Sequence, residues 1–291
     1  MSDFKELKNK TVAVTGATGG IGRPLCEKLL ALGANLILMD RNKNKSLSLR
    51  KELLKKFNNA EISNITVDLS SIKSVKAATE ELKKRDFDIF IHNAGAYSIP
   101  RYKSDSGYDN VFTINFISPY YIIREILPLI EAKGGRVAVT GSIAHRYSKT
   151  DINDVDFSGR RAASKVYGNA KRYLMFSLFE LFSHKQELLS VVHPGITFTG
   201  ITDHYPKFIF AVIKYPMKVI FMKPEKACLS TVRGVLEHTP YHYWFGPRFF
   251  DVWGTPKLTK LRISQEESKK IAETAEAIYN EQTEKYKTLS L

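Results

Sequence analysis

The sequence predicts an α/β protein built on one doubly wound parallel sheet with helices on both faces. Three observations predict it. Short runs rich in β-branched residues alternate with longer amphipathic runs, the pattern of strand–helix–strand units. The first apolar run, Val12-Ala13-Val14, leads straight into the glycine-rich turn Thr15-Gly16-Ala17-Thr18-Gly19-Gly20-Ile21-Gly22. No Pro/Ser-rich linker and no internal repeat divides the 291 residues. A single domain over 1–291 is therefore expected, long enough to bury a sizeable core.

Taken in order, strands are expected at 11–15, 35–40, 63–68, 88–92, 136–140, 188–193 and 241–245. Each is a short β-rich run, and strands alternating with helices imply a parallel sheet covered on both faces. Helical spacing of apolar residues predicts helices near 21–32, 46–57, 72–85, 110–132, 161–184, 224–236 and 264–286. Residues 200–223 read as an insertion and 240–291 as a C-terminal extension.

A strand, a glycine turn and a helix N-terminus in that order make a pyrophosphate site of Rossmann type. Glycines let the backbone approach the phosphates, and free helix N–H groups favour negative charge. Gly16, Thr18, Gly20, Ile21 and Gly22 are expected to line it. Asp40 ends the second expected strand, 18 residues beyond Gly22. A carboxylate there accepts from an adenosine ribose and repels a 2′-phosphate. Arg41 beside it suits a 2′-phosphate instead. The charge penalty of the carboxylate favours NAD(H) over NADP(H). Asp68 ends the third strand, with Leu69 next to it, and either bonds the adenine edge or caps the next helix. Asn93-Ala94-Gly95 after the fourth strand either runs beside the cofactor or makes a plain tight turn.

Tyr167 and Lys171 lie four apart in a helical run and so share one face. An ammonium beside a phenol favours the phenolate, which makes Tyr167 a usable acid–base. Ser142 lies just past the fifth strand, on the side where parallel sheets bind ligands. Asn115 falls inside a helical run, where it can bend the helix and anchor a water near Lys171. Pro194-Gly195 ends the sixth strand, and Thr199 follows in a loop suited to closing over a nicotinamide. Each of these also has an ordinary structural reading as a turn, cap or buried amide.

Together these residues resemble the short-chain dehydrogenase/reductase family. The resemblance rests on Thr15-Gly16-x-x-x-Gly20-x-Gly22, Asp68, Asn93-Ala94-Gly95, Asn115, Ser142, Tyr167-x-x-x-Lys171 and Pro194-Gly195 with Thr199, in family order. It implies a catalytic tetrad of Asn115, Ser142, Tyr167 and Lys171, with Lys171 also bonding the nicotinamide ribose. The Ser142-to-His145 run and the 146–161 insertion look like the retinol-dehydrogenase-like branch, where Arg41 suggests NADP and Asp40 departs from the pattern. His92 stands where the family often has another asparagine. The implied activity is hydride exchange between a nicotinamide cofactor and an alcohol or carbonyl. Alternatives are an epimerase/dehydratase-like enzyme or a non-catalytic nucleotide sensor on the same fold.

Residues 201–222 carry many large apolar side chains broken by lysines and Pro216. They read as a lid over a small hydrophobic alcohol or carbonyl, with an interfacial membrane helix or a plain core-packing helix as the alternatives. A homo-oligomer is plausible from the resemblance. The net charge is +14, yet lysines such as Lys51, Lys55, Lys56, Lys83 and Lys84 are scattered over helix faces. No nucleic-acid partner is therefore expected, and peripheral membrane contact is allowed but not favoured. Cys26 and Cys228 lie too far apart in sequence for a metal or redox motif, so no metal is expected. The polar residues 1–10 lack a secretory core, and no apolar run approaches a membrane span, so a cytoplasmic location is expected.

Overall fold

The computed structural model describes residues 7–147, 149–197 and 222–287. Eight strands form one sheet in the order β3-β2-β1-β4-β5-β6-β7-β8. They are β1 Thr11–Thr15, β2 Asn35–Asp40, β3 Ile62–Thr66, β4 Ile89–His92, β5 Arg136–Thr140, β6 Leu189–Val192, β7 Tyr243–Phe249 and β8 Trp253–Lys260. β1 to β7 pair in parallel, and β8 returns antiparallel on β7. The helices are α1 Gly22–Ala31, α2 Lys43–Lys56, α3 Ile72–Lys83, α4 Asn110–Phe112, α5 Ser118–Lys133, α6 Ala163–Leu181, α7 Pro224–Leu236 and α8 Gln265–Lys287.

The inner strands are apolar on both faces because helices cover both. Val12, Val14, Ile89, Ile91 and Ala138 face a core shared with α1, α2 and α7, while Ala13, Phe90, Val137 and Val139 face a core shared with α3, α5 and α6. Local chemistry sets the element ends. Asn42 caps α2 by accepting from Lys45 N, and Ser71 caps α3 by accepting from Ser74 N. Gly134 ends α5 with φ 57, a left-handed cap.

The chain reverses direction across the sheet between β1 and β4, which opens a crevice at the carboxyl ends of the strands. Between α4 and α5, residues Thr113–Ile117 form a π-turn. Asn115 sits in its middle, and its amide donates to Val111 O at 2.8 Å and to Ala96 O at 2.8 Å. The expected bend is thus a local widening of the helix that pins the loop after β4.

Two details differ from expectation. The third strand ends at Thr66, so Asp68 lies in the loop beyond it; Asp68 Oδ1 accepts from Ser70 N at 2.9 Å, and the α3 cap is Ser71. The last expected strand runs on to Phe249 and is joined by β8, which was not anticipated. Thr199 and all but the last two residues of the 200–223 insertion lie outside the described residues. Among the described residues no helix is long and apolar enough to cross a membrane.

Candidate active site

A cleft of about 700 Å³ runs along the carboxyl ends of β1, β2, β4, β5 and β6. Its lining includes Gly16, Thr18, Gly20, Ile21, Gly22, Asp40, Arg41, Asp68, Leu69, Asn93, Ala94, Gly95, Ser142, Tyr167, Lys171, Pro194 and Gly195. One cavity thus gathers residues from seven separate stretches of sequence.

The glycine loop is held open for a ligand by close backbone contacts. Gly16 has φ 69, and a Cβ there would lie 2.9 Å from Ala94 Cα. A Cβ on Gly22 would meet Gly16 O at 2.0 Å, so only glycine lets α1 begin so near the turn. α1 has no side-chain cap and no acid in its first turn. Arg23 N and Leu25 N donate to Gly19 O and Ile21 O and Pro24 has no N–H, so the N–H groups left to an anion are those of Ile21 and Gly22 at its very start. Asn93 fastens the loop to β4: its amide donates to Thr15 O at 3.2 Å and Gly16 O at 3.1 Å. Buried His92 joins the same strand ends, with Nδ1 3.1 Å from Thr15 Oγ1. Cleft size, glycine contacts and uncapped N–H groups together fit a dinucleotide.

Asp40 departs from the role that the sequence suggested. It is 3% exposed. Its Oδ1 accepts from Thr18 N and Thr18 Oγ1, both at 2.9 Å, and its Oδ2 accepts from Ser46 Oγ at 2.7 Å. The carboxylate therefore ties the glycine loop to α2 and has little acceptor capacity left for a ribose. Arg41, Asn42 and Lys45 are exposed and line that end of the cleft.

At the other end, Ser142 begins a short 3-10 turn, Ile143–Arg146, and its Oγ accepts from Ala144 N at 3.2 Å. Tyr167 and Lys171 project from α6 into the same space, with Lys171 Nζ 5.7 Å from the Tyr167 ring centre. Lys171 is 1% exposed and donates to Thr140 O at 2.8 Å. Burial pushes its ammonium down to about 7. The expectation that this lysine acidifies the phenol needs correction in the protein by itself. Burial pushes Tyr167 up to about 12, and the Ser142 hydroxyl pulls against that rise. Asn115 is fully buried behind the cleft wall, where Oδ1 accepts from Ala96 N at 3.2 Å. A Cβ on Gly95 would lie 3.0 Å from Asn115 Oδ1 and 3.7 Å from Lys171 Nζ, so the three pack together.

Sequence reasoning missed several supports. Gly168 lets α6 press on the Ser142 turn, since a Cβ there would meet Ala144 O at 2.2 Å. His193 lines the cleft, stacks on Trp244 at 4.8 Å and donates from Nε2 to Asp251 O at 2.9 Å. His145 donates from Nδ1 to Ser142 O at 2.7 Å and meets the other side of the site by edge contact with Trp244 at 5.4 Å. Burial holds both histidines near 4, so both are neutral at pH 7. Asp251 also pairs with Arg146 at 2.9 Å. The β7–β8 hairpin thereby braces the Ser142 turn and the Pro194–Gly195 loop at once. The His-Pro-Gly order was visible in the sequence, but nothing there pointed to its partner Asp251, 58 residues away.

Residues 10–153 match the short chain dehydrogenase family. Short-chain dehydrogenase TIC 32 A, chloroplastic, of Brassica napus is 29% identical over 218 residues, covering 68% of this chain and 67% of that protein. Retinol dehydrogenase 14 of Mus musculus is 26% identical over 255 residues, covering 79% and 76%. Among solved structures, a Sphingobium yanoikuyae short-chain dehydrogenase in complex with NADPH superposes with a TM-score of 0.60 at 21% identity, covering 77% of this chain and 83% of that one.

Proposed function

We propose that this chain, which belongs to the short-chain dehydrogenase/reductase family on its retinol-dehydrogenase-like branch, is an NAD(P)-dependent oxidoreductase acting on a hydrophobic alcohol or carbonyl. The observation that carries the reading is the meeting of Ser142, Tyr167 and Lys171 in the same cleft as the glycine loop.

A bound nicotinamide supplies or accepts the hydride. The chain's own groups do the rest. Ser142 holds the substrate oxygen by its hydroxyl. Tyr167 Oη gives a proton to that oxygen in the reductive direction and takes it back in the other. A phenol held near 12 stays protonated at pH 7 and is ready to donate. Lys171, held near 7, carries positive charge beside the phenol for part of the time and favours the phenolate left after donation. Asn115 acts one layer out by fixing Gly95, Ala96 and the wall against which Lys171 rests.

Tyr97, Ile143, Tyr147 and Ile196 line the cleft near Ser142 and Tyr167, and Tyr97 meets the Tyr167 ring edge-on at 5.4 Å. This apolar wall supports a lipophilic substrate.

The sequence favoured NAD(H) on the strength of Asp40. With that carboxylate occupied by Thr18 and Ser46, the reading moves to NADP(H). Arg41 and Lys45 offer cations to a 2′-phosphate at the N-terminus of α2, where negative charge is favoured. Arg41→Ala is expected to raise the KM for NADPH by roughly 10- to 100-fold, the worth of a charged hydrogen bond, and to leave NADH nearly unchanged. Equal losses with both cofactors would remove this assignment. The test of the function itself is a panel of lipophilic aldehydes and ketones with NADPH and NADH in parallel, followed by loss of nicotinamide absorbance. Steady oxidation of cofactor supports an oxidoreductase. Product formed without net cofactor oxidation favours the epimerase-like alternative, and binding without any turnover favours a nucleotide sensor.

A further inference from the structure

We propose that the tip of the β7–β8 hairpin, with the basic hollow on its flank, is a contact surface for an anionic lipid bilayer.

Three large aromatics stand out in water at this tip. Phe250 is 85% exposed, Phe249 52% and Trp253 42%. The Phe249 and Trp253 rings touch, with centres 5.9 Å apart. Phe250 and Asp251 both adopt left-handed backbone, φ 53 and 58, which non-glycine residues enter only when something holds them there. The holding groups are the Arg146–Asp251 ion pair and the His193 bond to Asp251 O. The turn is thus braced from inside while its aromatic side chains point away from the protein.

On the flank of the same hairpin lies a hollow of about 380 Å³ lined by Arg233, Arg248 and Lys257 with Thr255, Pro256 and Leu258. Arg233 is engaged by Glu237 and Pro256 O. Arg248 and Lys257 make no ion pair among the described residues. Arg248 is two residues from Phe250, and Lys257 pairs with Gly246, four residues from it. At about 3.3 Å per residue these cations stand roughly 7 and 13 Å above the tip. An interfacial element buries its apolar part about 5–10 Å deep, so inserting the aromatics places both cations at the headgroups. Phe and Trp suit that boundary, and a chain of net charge +14 is drawn to an anionic leaflet. A nucleic acid would use the cations and leave Phe250 idle, so the bilayer accounts for more of the surface.

The tip also adjoins the cleft. Val252 O accepts from Ile196 N at 3.4 Å, and a Cβ on Gly195 would lie 2.6 Å from that oxygen. Docking would therefore bring the cleft mouth to the bilayer, a consequence that rests on the lipophilic-substrate reading. The docking itself does not, and it is measured without substrate or cofactor.

The experiment uses the full chain with vesicles of phosphatidylcholine alone and of phosphatidylcholine with phosphatidylserine. Binding is read by co-sedimentation and by quenching of tryptophan emission with brominated lipid. Binding to the phosphatidylserine vesicles that weakens with salt is expected. Trp244 is fully buried, so the quenching should come from Trp253 and vanish in Trp253→Phe. Phe250→Asn, which tolerates left-handed backbone, should lower the partition coefficient by roughly tenfold or more. Arg248→Gln and Lys257→Gln should each lower it by about fivefold. The proposal is overturned by equal, weak binding to both vesicle types, by absence of quenching in the wild-type chain, or by wild-type binding in circular-dichroism-checked folded variants. Competition by an oligonucleotide with no dependence on Phe250 would overturn it as well.

Discussion

Tyr167→Phe is expected to lower kcat by about 10²–10⁴-fold, the usual worth of a positioned acid–base group. The change removes one oxygen and leaves the ring. Its edge contact with Tyr97 at 5.4 Å involves the ring and should persist. The nucleotide end of the cleft, built on Gly16, Gly22 and Asn93, does not touch the phenol. Cofactor affinity, measured by fluorescence titration, should therefore stay near the wild-type value while turnover collapses. The lost group is a proton carrier, so the residual rate should also lose the alkaline pH dependence of the wild type. Near-normal turnover in this variant would mean that the proton reaches the substrate oxygen by another route.

Lys171→Met is expected to separate activity from stability. Lys171 is almost wholly buried and bonds Thr140 O. Its folded pKa of about 7 lies below the ordinary value of 10.5. Between those two values the unfolded chain binds a proton that the folded chain does not. Stability from this group therefore rises with pH across the window, and it is lost as pH falls through 7. Methionine removes that penalty and keeps most of the volume. The variant should melt higher than wild type at pH 6–7, and the gap should close as pH climbs towards 10. The lost bond to Thr140 O offsets part of the gain, by about 1 kcal/mol. Activity should fall by about 10²-fold or more, as when a preorganised electrostatic partner is removed. Differential scanning calorimetry against pH reads the first effect and initial rates read the second. A variant that melts below wild type throughout this range would show that the lysine is held for packing, not for charge.

Much of the sheet was legible in the sequence because five of its strands, β1, β2, β4, β5 and β6, are buried on both faces and read as mainly apolar runs. β8 was not. Its sequence Trp-Gly-Thr-Pro-Lys-Leu-Thr-Lys is mostly polar, and it lies at the sheet edge, where Pro256 is tolerated. The glycine loop was legible because close backbone approach restricts residue type at Gly16 and Gly22. The Tyr167–Lys171 pair was legible because helical spacing places both on one face. What spacing could not give was their electrostatics. Sequence proximity suggested an acidified phenol, but burial acts on both groups, raising Tyr167 and lowering Lys171. Asp40 shows the same limit. Its position at the end of β2 was read correctly, yet its partners Thr18 and Ser46 come from the glycine loop and α2, and they decide what the carboxylate can still bind. The bracing by Asp251 was beyond reach because it joins the hairpin to His193 and Arg146 across long stretches of chain.

The central claim is that this cleft moves a hydride between a nicotinamide and a lipophilic carbonyl while Tyr167 moves the proton. The most direct measurement follows deuterium from NADPH deuterated at both C4 positions into product by mass spectrometry. The account predicts one deuterium on the new carbinol carbon per turnover in the wild type, and almost no labelled product with Tyr167→Phe. Product that carries no deuterium, or label transfer undiminished in Tyr167→Phe, would contradict it.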